Sequence, residues 1–254
     1  MTPKFSIITP TWNRADGRLQ RCIESVQAQT FTDWEHIIVD DGSKDGTDDV
    51  VLDYIIEDWQ VPRPSRFIYI DQVDHAGRVQ ARNAGMRAAQ GEFVAWLDSD
   101  DCYDPEYLAT FDYYTRLDPE ARLWVCGSRY HGMVKDEDGK HLVPKWTKLR
   151  RAWCPPPAKD GDGYAHFNSG HVGTGMFVYA RECLDKTGLF PEHWHNHNQI
   201  ADGVDKWLGY ETGYSSAKRW VGNPNGEDWC FFRKLTLFYK VHLIEACLYN
   251  QYVR

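Results

Sequence analysis

What this 254-residue chain lacks narrows its possibilities first. Its longest uninterrupted apolar run is five residues, far below the roughly 20 that a membrane-spanning helix requires. Seven cysteines stand apart with no C-x-x-C pair. That excludes zinc-knuckle spacing, and the odd count fits reduced thiols better than a disulfide framework. Basic residues are in deficit, 29 Lys and Arg against 37 Asp and Glu, giving a formal net charge of −8. No basic excess is there to neutralise nucleic-acid phosphates. The amino terminus carries no secretory pattern. The expectation is a soluble, cytoplasmic protein with no membrane span and no nucleic-acid partner, long enough to bury one substantial core.

What the chain does have is acid at the ends of apolar runs. Phe93-Val94-Ala95-Trp96-Leu97 leads directly into Asp98-Ser99-Asp100-Asp101, as a buried strand of a parallel sheet would deliver carboxylates at its carboxyl end. Open α/β sheets bind ligands at that edge. Hard oxygen donors suit Mg²⁺ or Mn²⁺, which one or two carboxylates hold while phosphate oxygens and water complete the shell. The same aspartates also suit a turn and a helix cap before Pro105.

The preceding residues repeat the arrangement. Strands are predicted over Lys4–Thr9, Glu35–Val39 and Arg66–Ile70, with helices from about Leu19 to Gln29, from the Asp40–Thr47 loop to Ile56, and over Gly77–Ala89. Four strands alternating with three helices predict a doubly wound parallel sheet.

Four motifs then occur in one order: Pro10-Thr11-Trp12-Asn13-Arg14, Val39-Asp40-Asp41-Gly42-Ser43, Ala81-Arg82-Asn83-Ala84-Gly85 and Leu97-Asp98-Ser99-Asp100-Asp101. Each alone is weak; in register they resemble a family 2 glycosyltransferase of the GT-A fold. The resemblance implies a mostly parallel central sheet flanked by helices. It implies one catalytic domain over 1–254, with a nucleotide-sugar-binding half (1–130) and an acceptor-binding half (131–254). Nucleotide contacts are implied for Pro10, Thr11, Asn13, Arg14, Asp40, Asp41, Arg82, Asp98 and Ser99. Thr11 and Asp41 would lie beside base and ribose, and Arg82 would lean towards the diphosphate, which suits a guanidinium. Asp100 resembles the direct ligand of Mn²⁺ or Mg²⁺, with Asp98 touching ribose or the metal through water. Trp12 reads as a packing residue.

The second half is predicted to hold a helix over Pro105–Leu117, a strand over Leu123–Tyr130, and a hairpin tip at Asp136–Gly139. A basic stretch with two tryptophans, 145–159, reads as a loop of little regular structure. His171–Tyr179 resembles the family strand on the acceptor side, where Gly173 and Gly175 permit close approach by a sugar. A short helix, Arg181–Lys186, and the turn Gly188–Glu192 follow. An insertion of about 193–223 comes next, beginning His193-Trp194-His195-Asn196-His197. His195 is a candidate for the metal shell and Trp207 for stacking on a sugar. By resemblance Asp228 is the catalytic base, with Glu227 orienting it and Trp229 on the acceptor side. A carboxylate in a helix's first turn is stabilised as an anion. Val241–Ile244 reads as the last strand.

The reaction implied is an inverting, metal-dependent glycosyl transfer. The donor is a nucleoside diphosphate sugar, a UDP-sugar on family grounds. The acceptor is a hydroxyl on a glycan, lipid-linked or small molecule, in glycan or polysaccharide biosynthesis. The Q-x-x-R-W sequence of processive synthases is absent, which favours single additions. Two other classes stay open. A sugar nucleotidyltransferase calls for a glycine-rich, lysine-bearing loop where this chain has Thr11-Trp12-Asn13-Arg14. A non-catalytic nucleotide- or sugar-binding module draws support from the altered second half.

Overall fold

The computed structural model describes residues 2–60, 66–135, 142–150, 174–192, 227–236 and 238–253. Strands β1 (Phe5–Thr11), β2 (Trp34–Asp40) and β4 (Phe93–Trp96) are buried along their whole length, the burial expected of parallel strands covered on both faces. Strand β3 (Phe67–Asp71) is partly exposed and ends the sheet order β3-β2-β1-β4. Helices α1 (Arg18–Gln27), α2 (Thr47–Trp59) and α3 (Arg78–Ala88) make the three crossovers. In α1 the buried residues Leu19, Cys22, Ile23 and Val26 fall at i, i+3, i+4 and i+7, one face of a 3.6-residue period. Alternation along β2 feeds two cores. Ile37 and Val39 join the large cluster around Trp96, while Ile38 packs with Leu19, Val51, Ile55 and Phe67.

The strand order places the site. The chain steps outward from β1 to β2 to β3, then returns to the other side of β1 as β4. At such a reversal the connections leave in opposite directions and a crevice opens at the carboxyl ends of the strands.

Beyond β4 the sheet turns mixed: β8 (Phe177–Ala180) is antiparallel to β4, and β6 (Leu123–Lys135) is antiparallel to β8. Strand β9 (Val241–Val253) runs parallel to β6, and the two-residue β5 (Cys102–Tyr103) is antiparallel to β9. Six of the nine described strands therefore share one direction. Helix α4 (Tyr107–Leu117) follows β5. Helix α6 (Glu227–Thr236) precedes β9, and the single turn α5 (Leu184–Thr187) follows β8.

Four expectations need correction. Residues 142–150, read in part as loop, form strand β7 (Leu142–Arg150), which pairs antiparallel with β6 from Ser128–Arg150 to Lys135–Leu142. Its mixed basic and aromatic residues hid the strand, because no apolar alternation marks it and its one described partner is the adjacent β6. The last strand is 13 residues long, not four, because β6 offers a partner along its whole length. The strand expected over His171–Tyr179 starts only at Phe177, after a 3₁₀ turn Thr174–Met176. The helix expected over Arg181–Lys186 is a 3₁₀ turn followed by α5. The hairpin tip and residues 151–159 lie outside the described residues.

His36 sits fully buried in β2, its Nε2 2.9 Å from Thr9 Oγ1. Burial pushes the imidazole down to about 3, while in the unfolded chain it titrates near about 6.5. A group depressed in the folded state contributes stability that is complete above the unfolded value and is lost as pH falls towards the folded one. Wild-type protein is therefore expected to lose up to about 3 kcal/mol more than His36→Gln between pH ~7 and ~4. Urea denaturation at the two pH values measures the difference.

Candidate functional site

Four loops leave the carboxyl ends of β1 to β4 and meet over the crevice. Each is held by hydrogen bonds that explain its motif. After β1, the Asn13 backbone is left-handed (φ 50°), and its Oδ1 accepts from the Lys44 amide at 2.9 Å. The Asn13 amide donates to Ser43 Oγ at 2.8 Å and the Arg14 amide to Thr47 Oγ1 at 2.8 Å. After β2, buried Asp40 accepts from the Ser43 amide and hydroxyl at 3.0 and 2.5 Å and from the Tyr69 hydroxyl at 3.1 Å. Gly42 is also left-handed (φ 73°), and a Cβ there would stand 2.9 Å from the His75 backbone nitrogen. Asn13 and Asp40 thus shape the loops, and neither lines the cleft.

Asp41 does line it. Its carboxylate accepts from the Ala76 amide at 2.7 Å and the Gly77 amide at 2.9 Å, where α3 begins. His75 Nδ1 lies 2.9 Å from its Oδ2. Burial raises the Asp41 carboxyl above the ordinary range, opposed by the two amides and by His75. Trp12, expected to pack, is 46% exposed and stacks on His75 with ring centres 4.3 Å apart. It stands at the mouth of the cleft because no core exists beyond the end of β1.

The third motif divides its work. Gly85 faces Ile8, whose Cγ2 would be 2.3 Å from an added Cβ, so α3 lies close on β1. Asn83 is buried and exchanges two hydrogen bonds with the backbone of Phe190, at 2.9 and 3.0 Å. Arg82 is only 2% exposed. Its Nη2 donates to Asp98 Oδ1 at 2.9 Å and to Thr174 Oγ1 at 3.2 Å, and its guanidinium lies over Trp96, 5.2 Å from the ring centre.

The fourth motif supplies the acid. Asp100 Oδ2 faces Arg14 at 3.3 Å and Arg18 at 3.7 Å. Burial and then the neighbouring Asp98 raise its carboxyl, with the two arginines pulling the other way. Asp101 points inward instead, accepting from the Tyr249 hydroxyl at 2.5 Å and the Tyr252 amide at 3.0 Å. Ser99 is buried and lines the cleft with Pro10, Thr11, Arg14, Arg82, Asp98 and Asp100. The cleft measures about 420 Å³, within the range of pockets that hold nucleotide-sized ligands. Thr11 Oγ1 is buried there without a hydrogen-bond partner among the described residues.

Among the described residues no three His, Cys, Asp or Glu side chains converge as a closed cage. Asp98 and Asp100 together fit a hard divalent cation that takes its other ligands from phosphate and water. His195, Gly173 and Trp207 lie outside the described residues, as do the side chains of Glu227, Asp228 and Trp229; the backbone sets Glu227 and Asp228 in the first turn of α6. Gly175 is buried, and the group that uses its missing side chain is the Tyr249 ring, 1.9 Å from an added Cβ. His75, Arg18 and Thr174 enter the site unannounced by motif. Arg18, one turn after Arg14, and His75, in a loop after a strand, were readable from position; Thr174 was not, since its contact with Arg82 spans 92 residues.

Deleting Asp98 takes a carboxylate partner from a buried guanidinium, whereas deleting Asp100 takes one from Arg14 and Arg18, whose side chains are already 27% and 21% exposed. Breaking a buried pair from one side costs about 3–5 kcal/mol, although Thr174 offsets part of that here. Asp98→Ala is therefore expected to lower the melting temperature clearly more than Asp100→Ala, as read by calorimetry.

Residues 6–188 match the family described as Glycosyl transferase family 2. The match ends before the histidine-rich insertion and before Asp228. The chain is 37% identical over 192 residues to the putative colanic acid biosynthesis glycosyl transferase WcaA of Escherichia coli (strain K12), covering 74% of this chain and 62% of that protein. It is 28% identical over 189 residues to the uncharacterized glycosyltransferase EpsJ of Bacillus subtilis (strain 168), covering 74% and 51%. The chain thus spans about half to three fifths of these relatives. Among solved structures, S. aureus TarS 1-349 in complex with UDP-GlcNAc superposes with TM-score 0.63 at 20% identity, covering 99% of this chain and 59% of that one. Mannosyltransferase PcManGT from Pyrobaculum calidifontis, in complex with GDP-Man and Mn²⁺, gives 0.57 at 17%, covering 99% and 57%. These likenesses show a shared GT-A fold. With well over half of its length matched and the four motifs meeting at one cleft, the chain belongs to glycosyl transferase family 2.

Proposed function

We propose that the protein transfers a sugar from a nucleoside diphosphate sugar, in first place a UDP-sugar, to an acceptor hydroxyl with inversion, in glycan or polysaccharide biosynthesis. The observation that carries this reading is the meeting of Thr11, Asp41, Arg82, Asp98 and Asp100 in one cleft at the strand reversal. Relatives named as putative colanic acid and teichuronic acid biosynthesis glycosyltransferases, and the UDP-GlcNAc complex of TarS, support the donor and product classes.

In this reading the base and ribose lie towards Thr11 and Asp41. The free Thr11 hydroxyl offers a donor or an acceptor. Asp41, accepting from the Ala76 and Gly77 amides with His75 Nδ1 2.9 Å away, offers a fixed carboxyl edge. Arg82 holds Asp98 in place, and Arg14 and Arg18 keep positive charge beside the diphosphate end. A Mn²⁺ or Mg²⁺ ion held by Asp100 with Asp98 would supply Lewis-acid stabilisation of charge on the departing diphosphate. Asp228 removes the proton of the acceptor hydroxyl as that oxygen bonds to the anomeric carbon. The bond from that carbon to the diphosphate oxygen breaks, and its electrons leave with the nucleotide.

Asp228→Asn is expected to lower turnover roughly 10²- to 10⁴-fold while leaving UDP affinity in Mn²⁺ intact; a fully active variant removes the base assignment. Asp100→Ala is expected to weaken UDP binding in Mn²⁺ and leave it unchanged in EDTA, read by calorimetric titration. Incubation with UDP-, GDP- and dTDP-sugars, following free nucleotide with and without hydroxyl acceptors, tests the reaction. Nucleotide binding with no release from any donor would favour a non-catalytic binding module.

A further inference from the structure

The acidic loop hangs between two anchors that lead to the same place on the acceptor side. At its first end, Asp98 is fixed by Arg82, and the same Nη2 reaches Thr174. At its other end, Asp101 is fixed through both carboxylate oxygens by β9: Oδ2 accepts from the Tyr249 hydroxyl at 2.5 Å and Oδ1 from the Tyr252 amide at 3.0 Å. The Tyr249 ring is seated on Gly175, the residue after Thr174, so closely that an added Cβ would overlap it. Gly175 is itself held by the Tyr107 hydroxyl, which donates to its carbonyl at 2.9 Å. Strand β5, which follows the loop immediately, pairs its Tyr103 with Tyr249.

Asp100 lies between these anchors, and its own described partners, Arg14 and Arg18, are part-exposed side chains that can swing away. Its backbone position is therefore set by Asp98 on one side and Asp101 on the other. The Asp101 amide, donating to the Asp98 carbonyl at 3.0 Å, closes the loop into one unit.

We propose that Tyr249 is a positioning residue, which acts through Asp101 to hold the Asp98–Asp101 loop in register with the turn Thr174–Met176, and so sets the geometry in which Asp100 meets a divalent cation. The proposal deepens the donor-site reading and rests on it. Residues that orient metal ligands typically contribute about 10- to 100-fold in metal affinity. The Tyr249 hydroxyl acts at one further remove, through Asp101, so the lower end of that range is the expectation.

Tyr249→Phe removes the hydroxyl and keeps the ring on Gly175. Mn²⁺ binding in the presence of UDP, followed by the free-ion electron paramagnetic resonance signal, is expected to weaken about tenfold. UDP affinity in EDTA is expected to stay at the wild-type value, a split that general loosening of the fold would not produce. Asp101→Glu keeps the carboxyl group and displaces it by one methylene, and is expected to weaken Mn²⁺ in the same way. It provides the test from the other partner should Tyr249→Phe not fold. Unchanged Mn²⁺ affinity in whichever variant folds, or equal losses with Mn²⁺ and in EDTA, overturns this inference alone. Wild-type protein that binds no Mn²⁺ with UDP overturns the donor-site reading and this inference together.

Discussion

A guanidinium with almost no access to water must find its compensation within the protein, and Arg82 is that group here. Its position on α3 brings it under the crevice, where Asp98, just after β4, and Thr174, just before β8, take its Nη2 and Trp96 faces its plane. Three segments far apart in sequence are thereby required to meet at one point. The crevice that the strand reversal opens becomes a walled cleft because this contact draws its two sides together. Asn83, next in the chain, does the same for the turn at Phe190 through paired backbone hydrogen bonds. One turn of helix thus ties the first hundred residues to Thr174 and Phe190.

Around that contact, burial and like charge hold Asp100 and Asp101 in a state that costs stability. Asp98, Asp100 and Asp101 crowd carboxyl groups into one loop, Asp101 buried and the other two part-exposed. Burial, and then the charges of Asp98 and Asp100, push the Asp101 carboxyl well up, against the hydrogen bonds from Tyr249 and Tyr252. Asp100 is raised for the same two reasons, burial and Asp98. Such clustering is a known mark of functional sites, where a ligand's charge relieves the repulsion. Asp41 is raised by burial too, but there the Ala76 and Gly77 amides at the start of α3 and His75 oppose the shift.

Legibility followed sequence distance. The alternation of strands and helices over the first hundred residues was readable because apolar runs and 3.6-residue spacing are local properties; observed ends fall within a few residues of those expected. The Asp98–Asp101 cluster was legible as acid after a buried strand. Its internal division of labour was not: Asp100 faces the cleft while Asp101 turns to Tyr249, a partner 148 residues away. Trp12 was misread for a related reason, since nothing in its neighbours tells whether the end of β1 meets core or solvent. Strand β7 was misread because its basic and aromatic residues suit a loop until β6 is known to lie alongside.

The sequence by itself determined the parallel run β1 to β4, the four motif loops and the family, because each depends on the order and spacing of residues close together in the chain. Tertiary structure alone decided which oxygens of those loops remain available. Asp40 and Asn13 are consumed in shaping turns, Gly175 accommodates the Tyr249 ring, and Arg82 is shared between Asp98 and Thr174. A side chain's capacity to bind is what remains after its neighbours in space have taken their hydrogen bonds, and those neighbours are chosen by the packing of the sheet.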